Sequence, residues 1–563
     1  MSLSILILYL LILGAVSILS FRKGFQNIFR TEKRLPWYLA GFSLFLINPD
    51  ISNVLSKMGI VATEGYAGMW IFYPGVLGTG FLPIIFAPLW SRLRFMTDNQ
   101  FILFRFSGKP ARILHLFRAV YVGYLVVALF IAQVFIGMSK LLMVFTACSY
   151  PESFLIIGII LVLLIAKSSL QLKVRTDFLN GIIYLLAFAI GAYFVLKQYG
   201  GISYVYPKLN SDYQGYIQLF PDGVGQTTFE SMPTLLVYFL IQWWSINVLD
   251  GSGPEAQRFM NSRSPFQAFK AAFLPLILFS LVFLFHSFVI DTGILMIHES
   301  SDLIPEIKNT PDLEASFIDL YKQAMPGGLS TLVFVAFIIG FTAFLEAFIN
   351  WGGSYVTVDV FKTYLLKKKT DRFYTHLSYL VMLLIGISGM IIAWYNTHLL
   401  GLQKFIFSMG AGVGPVFILR WFWWRINAWS QFTAMLSSLV FAVGWDLSYQ
   451  YSDTFHGFAD LQMESLSLSY FAFKLLCPTF IVTLSWLAVT FLTPPDGQET
   501  LEKYVARVNP PGFWPFIGSR KRSIKKRTLL LLLIYPLISI SPFLIIWLFK
   551  FGSIVLAFGL SAG

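Results

Sequence analysis

The sequence predicts an all-α polytopic membrane protein of about fourteen transmembrane helices. Composition is the first sign: hydrophobic residues make up 57% of 563 and charged residues only 12%, about half the charged share of an ordinary soluble domain. Mean hydropathy is +0.71. Apolar runs long enough to cross about 30 Å of hydrocarbon, which takes about 20 helical residues, recur along the whole chain.

In order, these runs fall near 2–20, 37–62, 66–90, 111–146, 153–168, 175–198, 232–249, 265–290, 329–362, 374–395, 400–424, 428–446, 466–493 and 528–549. The first has neither the basic leader nor the small-residue cleavage site of a signal peptide, so it reads as a retained span. Arg22, Lys23, Arg30, Lys33 and Arg34 follow it, and Arg92, Arg94, Arg105, Lys109, Arg112 and Arg118 surround the third-to-fourth connection. Later odd-numbered spans are followed by basic loops too, "LLKKKTDRF" and "SRKRSIKKR" among them. The alternate loop 291–328 instead carries Asp291, Glu299, Asp302, Glu306, Asp312, Glu314 and Asp319 against Lys308 and Lys322.

Short basic loops stay cytoplasmic. The expectation is therefore a multi-pass protein of the cell (inner) membrane with both termini outside. This asymmetry accounts for the net charge of +13, so no nucleic-acid partner is expected; the lipid bilayer is the partner, and the basic segment before the last span suits anionic lipid. Lys140 and Lys474, near outer helix ends, read as side chains snorkelling to the interface. Cys148 and Cys477 provide no disulfide framework and no metal-ligand spacing.

Two spans are interrupted by polar residues. The second, "WYLAGFSLFLINPDISNVLSKMGIV", has Asn48, Pro49 and Asp50 in succession near its middle. Proline removes a backbone donor and clashes with the preceding turn, so the helix breaks there. Backbone groups freed in this way cannot face lipid and must line a cavity or be covered by protein. The seventh span ends in Asp250, Gly251, Ser252, Gly253 and Pro254, where a helix should stop. If spans two and seven are the first helices of two five-helix halves, the breaks occupy corresponding positions, a pairing that supports a five-plus-five inverted repeat of the kind that places a transporter's site at midmembrane. The division that follows is 1–36 as first helix and basic loop, 37–198 as first repeat, 199–231 as extracellular loop, 232–424 as second repeat, and 425–563 as C-terminal helices with a basic loop.

The ninth span, "GFTAFLEAFINWGGSYVTVDVF", carries Glu346 near its midpoint. Ionisable residues at that depth are costly and generally functional. Thr342, Asn350 and Gly353 share its helical face. Lys57 lies seven residues beyond Asp50, about 10 Å along a helix, within reach of either carboxylate. Glu346 can thus be a proton-binding coupling residue, a ligand of a relocated cation, or half of a static ion pair with Lys57.

Four stretches carry a resemblance. "RFSGKPARILHLFRAVYVG", "IQWWSINVLDGSGPEAQRF", "INWGGSYVTVDVF" and "ETLEKYVARVNPPGFW" resemble, in the same order, segments of a bacterial branch of the sodium/solute symporter family, covering about residues 37 to 515. The resemblance implies a LeuT-type five-plus-five core and import of small organic solutes or ions on the sodium gradient. Family sodium ligands are carbonyls at the second-span break, here Leu46 and Pro49, and a hydroxyl pair on the ninth, here Ala343 and Phe344. Neither of the latter has a side-chain oxygen, whereas hard cations require several oxygen ligands. Asp177 matches an acidic position on the cytoplasmic side of that site. The cation or proton site implied is Asp50, Glu346, Asp177, Lys57 and Pro49. The solute pocket implied is Asn48, Ser52, Asn53, Gln242, Trp243, Ser245 and Asn247, with Asn350 on the face of Glu346.

The function expected is secondary active transport of a small polar organic solute, with no cofactor beyond Na+ or H+ as coupling ion and with the usual sodium site replaced by carboxylates or an internal ion pair. The alternative is a transport-inactive homologue serving as scaffold or sensor among membrane partner proteins. No nucleophile–base constellation, phosphate-cradling loop or metal motif points to an enzyme.

Overall fold

A computed structural model describes residues 2–20, 25–29, 31, 34–218, 231–245, 250–299, 306, 307, 310–512, 514 and 515. Eight helices in it are long and apolar enough to cross a membrane: Gly108–Thr146, Tyr150–Lys167, Leu170–Gln198, Pro265–Glu299, Ser330–Leu365, Asp371–Tyr395, Ala428–Tyr451 and Tyr470–Leu492. The first run is the single helix Ser2–Ser20, and the second, third, seventh and eleventh are shorter or segmented helices. The fourteenth, 528–549, lies outside the described residues, as do the basic loop 519–527 and Arg22, Lys23, Arg30 and Lys33.

The second span breaks where its sequence says it must. Helix Trp37–Leu46 ends, and Ile51–Glu64 begins after an extended Asp50 at φ −69°, ψ 162°. Each polar residue of the break satisfies backbone that the break exposes. Asn48 Nδ2 donates to Leu44 O (3.1 Å), Asn53 Nδ2 donates to Asn48 O (3.3 Å), and the Asp50 carboxylate accepts from the amides of Ser52 (2.9 Å) and Asn53 (3.1 Å). Asp50 is thus an N-cap built into the membrane.

The seventh span is helical from Met232 to Ser245 and resumes at Pro254–Met260. Gly251 (φ +67°) and Gly253 (φ +109°) adopt left-handed backbone between the two parts, a conformation strained for any residue with a Cβ.

The ninth span is the central pillar. In its apolar window 83% of residues are buried inside the protein, against 39% for the fifth, sixth, eighth and tenth spans; a helix apolar all round belongs at the centre. It packs on the fourth, sixth and tenth spans, and the first span packs on the fifth. The ninth and fourth spans cross where small residues let backbones touch. A Cβ on Gly352 would lie 2.4 Å from Gly123 O. Gly352→Ala is expected to cost about 1–3 kcal/mol of unfolding free energy, while Gly401→Ala, with open space around it, leaves stability unchanged. Equal stability of the two variants in micelles would show that the crossing is looser than this.

Lys140 and Lys474 do not snorkel. Lys140 Nζ is held by Asp312 (2.6 Å) and Glu314, which fold back over the fourth span, and Lys474 pairs with Asp446. Asp291, expected in a loop, is buried in the eighth span, accepting from Tyr66 (2.6 Å) and Tyr206 (2.8 Å) hydroxyls.

Candidate functional site

The second-span break opens onto a cavity of about 270 Å³, bounded by the second, fourth, seventh, ninth and eleventh spans. Asn48, Ser52, Asn53 and Ser245 line it, and so does Asp50, expected at the cation site. Gln133 and Gln403 are additional polar wall residues, and most of the remaining surface is apolar or aromatic. Glycines bring the eleventh span in close: a Cβ on Gly410 would lie 2.6 Å from Ser245 O, and one on Gly414 would strike the Trp244 ring.

Other expected wall residues lie elsewhere. Gln242 is buried, donating to Ile71 O (3.1 Å) and accepting from Ser245 Oγ. Trp243 packs between Phe81 and Trp244 and donates to Leu240 O (3.0 Å), so Trp244 takes the cavity position instead. The π-helical turn Tyr238–Gln242 just before these two residues shifts the helical phase, which a regular 3.6-residue projection cannot anticipate. Asn350 is away from the cavity, donating to Ile28 O (2.8 Å) and Ser168 Oγ (3.3 Å). Asn247 lies outside the described residues.

At the end of the cavity nearest the basic loops, two buried carboxylates lie just behind the wall residues Arg118, Ser252 and Trp351 and brace the floor that these form. Asp98 accepts from Arg118 (3.2 Å), Gly253 N (3.1 Å), Trp351 Nε1 (3.1 Å) and Tyr355 OH (2.6 Å). Asp250 accepts from Arg420 Nη2 (2.5 Å), Trp421 Nε1 (2.7 Å) and Ser252 Oγ (2.7 Å). Asp98 and Asp250 therefore tie the seventh-span break to the third-to-fourth connection, the ninth span and the end of the eleventh.

The expected cation site is rearranged. Pro49 O accepts a hydrogen bond from the Tyr184 hydroxyl at 2.9 Å. The ninth span presses on the same carbonyl, since a Cβ on Gly340 would lie 2.9 Å from it. Asp50 is committed to its cap and lines the cavity, and Glu346 is absent from the cavity wall. The two acids therefore do not share one chamber. The cation on Glu346 is Lys167, Nζ to Oε2 at 3.2 Å, and not Lys57. Lys57 stands over the Phe72 ring, 5.8 Å from its centroid. Asp177 accepts from Lys173 Nζ (3.0 Å) and Ser43 Oγ (2.6 Å). Arg258 Nε donates to the same Ser43 oxygen at 3.3 Å.

Lys167 and Lys173 bracket the Ser168–Ser169 bend between the fifth and sixth spans. Both ammonium groups thus enter the protein about one turn from the would-be sodium ligands, by way of Ser43, three residues before Leu46, and Glu346, three after Ala343. "AKSSLQLK" carried that signal in sequence, as two lysines flanking a helix break.

With this geometry in place, comparison with known proteins is informative. The profile of the Sodium:solute symporter family matches residues 29–438. The chain is 22% identical over 453 residues to the sodium/glucose cotransporter of Vibrio parahaemolyticus, covering 75% of this chain and 79% of that protein. It is 27% identical over 128 residues to the high-affinity proline transporter PutP of Bacillus subtilis (strain 168), a match of 21% of this chain that spans only 27% of that relative's length. Among solved structures, a Na+-coupled sialic acid symporter in a substrate-bound outward-open state superposes with a TM-score of 0.69 at 17% identity, over 88% of this chain and 99% of the other. The shared architecture is the LeuT-type fold.

Proposed function

This chain belongs to the sodium:solute symporter family, and from that premise we propose that it is a secondary active transporter of a small polar organic solute that works without the family's usual sodium site. The observation that carries this reading is the Tyr184 hydroxyl on Pro49 O at 2.9 Å. A carbonyl that should face a cation faces a proton donor, and Ala343 and Phe344 supply no side-chain oxygen opposite it. A hard cation needs several oxygens converging on it, and these residues do not fit one.

The cationic charge is internal instead. Lys167 on Glu346 and Lys173 on Asp177 place two amino groups of the chain itself beside the place where a symporter binds its ion. Of the three roles open to Glu346, the ion pair is the one this contact supports, with Lys167 as its partner. The solute occupies the cavity between the broken second span and Trp244, and the Asp98 and Asp250 contacts close its basic-loop end. The chain sits in the cell membrane with both termini outside.

Replacing KCl by NaCl at equal ionic strength is expected to leave the melting temperature of the purified protein, and solute uptake into proteoliposomes, unchanged. A sodium-specific rise in either would overturn the proposal. Absence of flux across a broad solute panel would favour the transport-inactive scaffold instead.

A further inference from the structure

Three side chains on the cavity wall carry formal charge: Asp50, Arg118 and Glu255. Two are internally compensated. Asp50 receives two backbone amides and the Ser52 hydroxyl at a helix N-terminus, where a negative charge is favoured. Arg118 is bound to Asp98 at 3.2 Å and lies over the Tyr355 and Phe417 rings.

Glu255 is different. It follows Pro254 in the resumed seventh span and remains partly open to the cavity. Among the described residues no Lys, Arg or His comes within ion-pair distance of it. Arg258, one turn on, is engaged with Ser43 and with Pro254 O (2.8 Å). Glu255 is thus the wall carboxylate with no side-chain partner among the described residues, and the Arg258 guanidinium one turn on is the cation whose field reaches it.

The surroundings of that carboxylate are aromatic. A Cβ on Gly253 would lie 3.3 Å from Glu255 Oε2 and 3.4 Å from Trp351 Cζ2, so the acid and the indole flank the same point. Phe344, Phe348, Trp244 and Phe407 continue the wall. A carboxylate without a direct ion-pair partner in low dielectric attracts a cation strongly. Ring faces reward a cation whose charge is spread over apolar groups and easily stripped of water. A small inorganic ion would gain little from such a wall, and an anionic solute would be repelled.

We propose that the cavity takes an organic cation, a quaternary ammonium or a protonated amine, and that Glu255 is the residue that selects its charge. This rests on the cavity being the solute pathway.

The test uses the full purified chain and a pair of probes of equal shape, choline and its uncharged carbon isostere 3,3-dimethylbutan-1-ol, read by tryptophan fluorescence and by thermal shift. Choline is expected to bind saturably and about tenfold or more tighter than the isostere. Glu255→Gln should remove that preference without weakening the isostere, and Glu255→Asp should keep part of it. Unliganded melting of each variant shows whether it has folded. If Glu255→Gln does not fold, competition of choline with tetramethylammonium and with the isostere in the wild type carries the test. Equal binding of choline and the isostere, retained preference in Glu255→Gln, the same Glu255-dependent response to KCl, or no saturable response to choline, tetramethylammonium or benzylammonium would each overturn the proposal. A transporter of neutral solutes would fail here yet still show sodium-independent flux, which separates this failure from that of the transport reading.

Discussion

Replacing Lys167 with methionine is expected to lower the unfolding free energy by about 3–5 kcal/mol, because a buried carboxylate is left without its counter-charge. Glu346 Oε2 has Lys167 Nζ at 3.2 Å, with the side chains of Lys167 and Glu346 only 11% and 6% exposed, respectively. The other oxygen, Oε1, is buried without a donor among the described residues, so Lys167 supplies the direct contact to this carboxylate. The pair spans the end of the fifth helix and the middle of the ninth, and its loss should loosen the first span as well, whose Tyr9 hydroxyl donates to Thr342 at 3.2 Å. Removing both charges in Lys167→Met/Glu346→Leu should recover most of the loss, since an apolar pair of similar volume avoids the desolvation that the ion pair only partly offsets. Denaturant titration of the three proteins in micelles checks this. A single variant as stable as the wild type would mean the pair is not formed in the membrane. A double variant no better than the single would assign Glu346 a role other than holding Lys167.

The floor of the cavity should be as sensitive. Arg420→Leu is expected to cost about 3–5 kcal/mol by the same reasoning. Arg420 and Asp250 are both fully buried, with Nη2 to Oδ2 at 2.5 Å. The guanidinium also donates from Nε to Asp250 (3.2 Å), from Nη1 to Gln431 (3.2 Å) and from Nη2 to Ser252 Oγ (2.7 Å). One planar fork therefore joins the seventh-span break to the twelfth span. Lysine keeps the charge but not the fork, so Arg420→Lys should recover less than half of the loss, while Arg420→Leu/Asp250→Asn should recover more than Arg420→Leu alone. Stability of Arg420→Leu equal to the wild type would show that the floor does not rely on this contact.

These two ion pairs show where sequence stops. The break at Asn48-Pro49-Asp50 was legible because its causes are local: a proline without an N–H, an aspartate that caps the next two amides, and an asparagine that covers the last turn. The seventh-span interruption at Gly251 and Gly253 was legible for the same reason, as was the run of apolar segments, since hydropathy is read one residue at a time along the chain. The partner of Glu346 was not. Lys57 could be placed by counting along one helix from Asp50, but Lys167 lies 179 residues from Glu346 and meets it only because the fifth and ninth spans pack around the first. Nor was Glu255 singled out, although it lies inside a quoted motif: an acid at a helix start is ordinary until it proves to stand beside an indole on a cavity wall with no direct ion pair.

By itself, then, the chain's order of residues determined that it crosses the membrane many times, which two spans break, and that acids lie buried at midspan, because backbone satisfaction in lipid is settled within each helix. Only the tertiary structure decided which acid meets which base, that Tyr184 covers Pro49 and that Trp244 replaces Trp243 on the cavity wall. Those outcomes depend on how separate helices cross and on the phase each has at the crossing, and a single π turn is enough to change it.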